Sequence, residues 1–179
     1  MRKEIIIAGF GGQGVMSIGK NLAESGVEEG LEVTWVPSYG PEMRGGTANC
    51  SVILSDSRIG TPLIEDATEV IVMNRPSLSK FLDNVMPGGS IFINSSTIPD
   101  EVDRDDINVY RIPCDDIALK LGNPKISNMV MLGAYLGATK ALKVSTVEGM
   151  IRHMFSGTKA HLIDLNLEAL KAGMESVDN

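Results

Sequence analysis

The sequence predicts an α/β protein with a mostly parallel, Rossmann-like sheet flanked by helices and a helical C-terminal third. Two observations support this fold class. Strand-like and helix-like segments alternate over about the first 110 residues, and a glycine-rich turn connects the first strand to the first helix. The chain shows no internal repeat, low-complexity tract or linker. One domain spanning residues 1–179 is therefore expected.

The first elements form a strand–helix–strand unit. Glu4 to Ala8 is a short β-branched run that predicts a buried strand. Apolar residues at helical spacing follow from Val15 to about Glu29, where Gly30 ends the predicted helix. Glu32–Val36 predicts a second strand. The usual outcome of such a unit is two parallel strands joined by a right-handed crossover.

The remaining strands are short apolar or β-branched runs that end at turn residues. Pro87-Gly88-Gly89, for example, turns the chain into the strand that follows it. This pattern completes the set of strands that a single sheet would need. The predicted strands are Thr47–Leu54, Val70–Met73, Ser90–Asn94 and Val109–Ile112.

Helices dominate after the last strand. The sequence Ser145–Glu148 resembles a capping box that would open a helix. Small residues at Gly133, Ala134, Gly137 and Ala138 predict that another backbone comes close to their helix. The predicted helices are Pro76 to about Val85, Asp115–Leu121, Asn128–Leu142, one opening at Ser145, and Lys159–Ser176.

Composition limits the kinds of partner. The net charge of −7 disfavours binding to nucleic acid or to an anionic membrane, so neither partner is expected. The apolar run Ile5–Phe10 is too short to span a bilayer and leads into glycines without a cleavage site, which predicts a cytoplasmic protein. Cys50 and Cys114 are isolated in the sequence. We expect them to be packing residues and expect no metal site.

The glycine-rich turn is the first candidate site. Its glycines allow a tight turn, and the exposed N–H groups at the start of the following helix favour an anion. The turn satisfies the pattern G-x-G-x-x-G between a strand and a helix. Its candidate cofactor-facing residues are Gly9, Gly11, Gly12, Gln13 and Gly14.

The usual dinucleotide interpretation lacks its second element. A dinucleotide site requires an acidic residue at the end of the second strand, or an Arg for NADP, and Trp35–Tyr39 supplies neither. No Gly-Lys-Ser/Thr follows the turn, so a P-loop is also disfavoured. Three interpretations stay open: an anionic or cofactor-facing contact of another kind, tight packing alone, and an independent nucleotide-binding module or dehydrogenase.

The loop after the second strand is the second candidate site. Because it leaves the carboxyl end of a parallel strand, we expect it on the same sheet edge as the glycine turn. Arg44 could pair with a carboxylate or phosphate, and Glu42 could orient Arg44. An ordinary surface turn with an exposed ion pair is the alternative. The candidate substrate or interface residues are Ser38, Tyr39, Glu42, Arg44, Gly45 and Gly46.

The two loops together resemble one known family. A strand leading into Gly9–Gly14 and then Ser38–Gly46 is similar to the gamma subunits of 2-oxoacid:ferredoxin oxidoreductases. Asn128–Ala134 resembles a further stretch of that family. The resemblance covers essentially the whole chain. It implies a subunit that supports a shared active site and complex assembly, and that is inactive alone.

The resemblance also implies an enzyme complex. Such complexes oxidatively decarboxylate a 2-oxoacid with coenzyme A, giving an acyl-CoA, carbon dioxide and reduced ferredoxin. Thiamine diphosphate, magnesium and iron–sulfur clusters are expected in partner alpha, beta and, where present, delta subunits. This chain has no Gly-Asp dipeptide and no grouped cysteines, so we expect it to bind none of these alone and assign it no catalytic residue.

The form of the second loop resembles the 2-oxoglutarate and 2-oxoisovalerate members more than the pyruvate members. It favours 2-oxoglutarate, with indolepyruvate oxidoreductases also open. Six residues of the two loops are expected to face other subunits: Gly11, Gly12, Gln13, Tyr39, Glu42 and Arg44. Their expected role is either to help bind coenzyme A or to support assembly alone. Ten methionines suit an adaptable interface. The isolated chain is expected to self-associate.

Overall fold

The computed structural model describes residues 1–38 and 47–178. Within them, six strands form one sheet in the order β2-β3-β1-β4-β5-β6. The strands are β1 Arg2–Phe10, β2 Glu32–Ser38, β3 Thr47–Ser55, β4 Ala67–Val72, β5 Val85–Asn94 and β6 Asn108–Ile112. The helices are α1 Val15–Glu28, α2 Arg75–Phe81, α3 Cys114–Lys120, α4 Ser127–Thr139, α5 Val144–Met154 and α6 Ile163–Glu175.

The sheet is mostly parallel, which confirms the predicted fold class. β1, β4, β5 and β6 pair in parallel, whereas β3 runs antiparallel to both β1 and β2. β1 and β2 therefore point the same way, as the strand–helix–strand unit predicts, but they are not neighbours. The short segment 39–46 cannot make a parallel crossover, because that needs a dozen or more residues. β3 consequently returns antiparallel and fills the place between β1 and β2.

The sheet buries apolar side chains on both faces. On one face, α1, α3, α4, α5 and α6 cover alternate residues of the strands, including Ile7, Val52 and Phe92. On the other face, α2 and the chain around Ile98 cover a smaller cluster that includes Val70. Two covered faces match the apolar strands of a parallel sheet. No described helix is long and apolar enough to cross a bilayer.

The ends of the late helices differ from the sequence prediction. α5 begins at Val144 with Lys143 as its N-cap, and no side chain caps it, so the predicted capping box is wrong. Ser145 lies inside the helix, and the N–H of the N-cap Lys143 donates to the Glu29 carboxylate at 2.7 Å instead of to a capping-box side chain. α4 stops at Thr139 because the next residue is left-handed. The helix predicted from residue 159 begins as a 3₁₀ turn over residues 157–162.

α4 and α6 approach each other closely through small residues, as predicted. A methyl group on Gly133 would overlap the Leu170 carbonyl oxygen, and one on Gly173 would overlap the Val130 carbonyl oxygen. The two glycines therefore allow reciprocal backbone contact. The contact leaves α4 almost wholly buried, with Met129 and Met131 in the core. These two methionines are packing residues, not part of an exposed interface.

We expect Gly173→Ala to lower the free energy of unfolding by about 3 kcal/mol, because the obstructing atoms are backbone and cannot rotate away. Gly149→Ala is the matched control, since Gly149 lies in α5 with open space around it. That control should gain about 0.5–1 kcal/mol from helix propensity. Urea unfolding of the two variants measures both values. Equal effects would contradict the close packing.

Candidate functional site

The carboxyl ends of the parallel strands define the candidate site. Phe10, at the end of β1, pairs with Thr47, and Ser38, at the end of β2, pairs with Asn49. Both ends of segment 39–46 therefore lie at the end of the sheet where β1 leads into the glycine turn. The remaining predicted residues of the second loop fall outside the described residues: Tyr39, Glu42, Arg44, Gly45 and Gly46.

The glycine turn divides into packed and open positions. Gly12 and Gly14 have φ values of 89° and 77°, a left-handed backbone that glycine adopts without strain. A Cβ at Gly9 would lie 2.8 Å from Gln13 Oε1 and 2.9 Å from Val15. Gly11 and Gly12 are exposed, and a Cβ on either would meet open space. Packing therefore explains Gly9 and Gly14, and Gly11 and Gly12 present free backbone.

Gln13 braces the turn from inside. Its Oε1 accepts a hydrogen bond from the Phe10 N–H at 2.7 Å, and its Nε2 donates to the Met73 carbonyl at 3.1 Å. The same carbonyl accepts from Thr97 Oγ1 at 2.9 Å and lies 3.5 Å from Asn94 Nδ2. The Gln13 amide is thus engaged by the protein itself. The role of Gln13 is therefore to hold the exposed backbone of the glycine turn in a fixed position.

Two asparagines at this edge escaped the sequence analysis. Asn94 ends β5, donates to the Asp115 carboxylate at 3.1 Å and accepts from the Cys114 N–H at 3.2 Å. Asn128, at the start of α4, donates to the Gly14 carbonyl at 3.4 Å. A polar residue at the end of a parallel strand was the signal for Asn94. Asn128 begins the family-like stretch Asn128–Ala134, but that resemblance does not predict its contact with Gly14, which is 114 residues away.

The two cysteines are fully buried packing residues. Burial raises the pKa of the Cys50 thiol to about 12, and its Sγ donates a hydrogen bond to the Val15 carbonyl at 3.6 Å. Burial and the nearby Asp115 charge raise the pKa of Cys114. Both groups stay protonated, and a protonated thiol is a poor nucleophile and metal ligand. Among the described residues, no group of His, Cys, Asp and Glu side chains could hold a metal ion.

The sheet order also disfavours a dinucleotide site. In a Rossmann fold, the second strand lies beside the first and brings its terminal acidic residue to the ribose. Here β3 separates β1 from β2, so the end of β2 is displaced by two strand spacings, about 9–10 Å. The described part of β2 ends Val36-Pro37-Ser38, with no acidic residue. Within residues 1–38 and 47–178, neither the geometry nor the chemistry of ribose recognition is present.

Fold and site together define an α/β protein whose glycine turn presents backbone at a sheet edge without a ribose or P-loop partner. Residues 4–176 match the model of the pyruvate ferredoxin/flavodoxin oxidoreductase family. The chain belongs to this family.

Curated relatives agree with this membership. The chain is 40% identical over 171 residues to ketoisovalerate oxidoreductase subunit VorA of Methanothermobacter thermautotrophicus, covering 94% of this chain and 35% of that protein. The chain thus spans about a third of the length of the VorA relatives. It is 34% identical over 185 residues to 2-oxoglutarate synthase subunit KorC of Methanothermobacter marburgensis, covering 99% of this chain and 97% of that protein.

A solved structure supports the fold. The chain resembles the crystal structure of a keto/oxoacid ferredoxin oxidoreductase gamma subunit from Geobacter sulfurreducens, with a TM-score of 0.84 and 24% identity. The match covers 98% of each chain. The strand order and the helical layers described above are therefore those of a known α/β fold.

We expect Gln13→Glu to destabilise the protein by about 2 kcal/mol and to speed hydrogen exchange of the amides of residues 10–13. The carboxylate would retain the acceptor for Phe10 but would place an oxygen against the Met73 carbonyl. Asn84→Asp is the control, because Asn84 Nδ2 donates to the Glu65 carbonyl at an exposed site. Urea unfolding and exchange mass spectrometry measure both variants. A Gln13→Glu protein as stable as the control would refute the brace.

Proposed function

We propose that this chain is the gamma subunit of a 2-oxoacid:ferredoxin oxidoreductase. In the proposed reaction, the assembled complex converts a 2-oxoacid and coenzyme A to an acyl-CoA and carbon dioxide while reducing ferredoxin. The family match over residues 4–176 carries this proposal. The KorC relative supports it, because that protein has nearly the same extent as this chain.

The proposed role is supporting, and the redox chemistry is assigned to partner subunits. The described residues do not fit an iron–sulfur cluster, because Cys50 and Cys114 are buried with raised pKa values. They also offer no carboxylate group arranged for a metal. Thiamine diphosphate, magnesium and the clusters are therefore proposed for alpha, beta and, where present, delta subunits. The chain alone is proposed to be inactive and cytoplasmic.

The open backbone of Gly11 and Gly12 is the proposed contact surface on this chain. The turn leads into Gly14, the N-cap of α1, a helix of 14 residues whose first N–H groups and dipole favour negative charge. A phosphate of coenzyme A or a carboxylate of a partner subunit would suit it. Segment 39–46 begins at the same end of the sheet, two strands away, and ends beside this turn at Thr47, which supports one shared surface.

For the substrate, we propose 2-oxoglutarate, with 2-oxoisovalerate as the second candidate. The form of the second loop and the likeness to the KorC relatives, which are 34% and 32% identical, favour 2-oxoglutarate. The higher identity to VorA favours 2-oxoisovalerate. The described residues contain no side-chain constellation for a 2-oxoacid, which agrees with a substrate pocket on another subunit.

The complex purified from its native host through a tagged copy of this chain should reduce ferredoxin only with both coenzyme A and a 2-oxoacid present. With 2-oxoglutarate, kcat/KM should exceed that with 2-oxoisovalerate by at least about tenfold, or 1.4 kcal/mol. The chain alone should show no turnover. Higher kcat/KM for 2-oxoisovalerate would overturn the substrate, and recovery of the chain without larger subunits would overturn the subunit role.

Arg44→Ala should leave assembly intact but lower kcat/KM for coenzyme A by about 10- to 100-fold, because a charge-assisted hydrogen bond contributes about 1.5–3 kcal/mol. Arg44 is chosen from its sequence pattern, since it lies outside the described residues. Size-exclusion chromatography and steady-state kinetics separate the two effects. Loss of assembly with unchanged turnover per complex would assign Arg44 to assembly alone.

A further inference from the structure

The described sheet has two edges, and they differ in how they are protected. Edge strands expose unpaired N–H and C=O groups, and proteins normally guard them with charged residues, proline or covering chain. β6 forms one edge. Its Arg111 donates to the carbonyls of Ile98 at 2.7 Å and Asp100 at 3.0 Å, which ties the neighbouring chain to that edge. β6 is therefore a guarded edge.

β2 forms the other edge, and its protecting residues lie only towards its two ends, at Glu32 and Pro37. It packs mainly against β3 and α1, and its only proline, Pro37, leaves the preceding residues free to pair. No Lys or Arg lies on the strand. Val36 is 41% exposed, and Val27 on the adjoining helix is 64% exposed. The outer backbone of Glu32–Val36 is thus available in a strongly β-forming sequence.

An apolar groove lies beside this edge. It has a volume of about 420 Å³, and we call it the β2 groove. The fold leaves it open along the flank of α1, next to the unpaired strand. Its lining residues are Ala23, Glu24, Val27, Val33, Trp35, Met150 and His153.

The charges around the β2 groove indicate which partner fits. Glu28 and Glu32 are exposed, and neither has an ion-pair partner in the described part of the chain. Glu24 also lines the groove, with Lys20 at 3.8 Å in an exposed pair. A second copy of this chain would bring the same acidic side chains and a net charge of −7. A basic partner is therefore favoured over self-pairing.

We propose that an extended segment of a larger subunit of the complex, carrying aliphatic and basic side chains, pairs with β2 as an additional strand and fills the β2 groove. Backbone hydrogen bonds to Glu32–Val36 supply affinity, and the groove and Glu28 supply selectivity for aliphatic and positively charged side chains. The inference rests on the proposed subunit role and assigns a docking surface to it.

Hydrogen exchange of the full chain, alone and in the complex reconstituted from purified subunits, tests the proposal. The amides of residues 33–36 should exchange at least about tenfold more slowly in the complex. Absence of any complex would overturn the subunit role and with it this docking surface. A complex that forms without protection of β2 would overturn the docking surface alone. Concentration-dependent protection of β2 in the isolated chain would show that a second copy is the occupant and would also overturn it.

Two substitutions sharpen the test. Val27→Lys and Glu28→Lys should each weaken assembly by about tenfold or more, as measured by titration of the purified chain into the other subunits. Leu119→Lys and Glu101→Lys are the matched controls. Leu119 is 67% exposed on α3, and Glu101 is exposed in a different part of the fold. Equal losses in the test and control variants would contradict docking at the β2 groove.

Discussion

The antiparallel strand β3 is the constraint on which the rest of the structure depends. By occupying the place beside β1, it prevents β2 from becoming the second strand of a nucleotide-binding unit. It also brings Thr47 against Phe10, so segment 39–46 returns to the glycine turn. Finally, it displaces β2 to the edge of the sheet. This one pairing therefore separates β2 from β1, places Thr47 beside the glycine turn and leaves β2 as an edge strand of the described sheet.

The glycine turn then acquires its form from contacts that are mostly internal. Gln13 links the Phe10 N–H to the Met73 carbonyl, so the turn is tied to the end of β4. Asn128 holds the Gly14 carbonyl from α4. These hydrogen bonds hold the turn in place, and Gly11 and Gly12 remain exposed on it. A binding site made of backbone N–H groups would gain affinity from a rigid turn, because the conformational entropy of ordering the turn is already lost on folding.

Much of the fold was predictable from local patterns. The β-branched run before Gly9 and the helical spacing after Val15 defined β1 and α1 correctly. The capping box failed because its residues lie in the first turns of α5, whose N-terminus is set by Glu29 from a distant part of the chain. Local sequence holds no information about that contact. The same limit applies to the position of β3, which depends on competition among strands for one place.

The candidate site was likewise predictable from local sequence in some respects and not in others. The G-x-G-x-x-G pattern located the turn, and the lack of an acidic residue over Trp35–Tyr39 argued against a dinucleotide site from the sequence alone. The pattern could not show that Gln13 points inward, because G-x-G-x-x-G does not specify its variable positions. Because Gln13 points inward, the proposed contact is the exposed backbone of Gly11 and Gly12 and not the Gln13 side chain.

The position of β2 links the two proposed surfaces. Ser38 ends β2 and immediately precedes segment 39–46, so a partner strand that fixes β2 also fixes the start of that segment. The other end is already fixed, because Thr47 pairs with Phe10 at the glycine turn. Docking at the edge would therefore fix the strand that directly precedes the segment carrying Arg44. In this way, assembly and completion of the shared active site would be one event, which gives a physical reason for a subunit that is inactive alone.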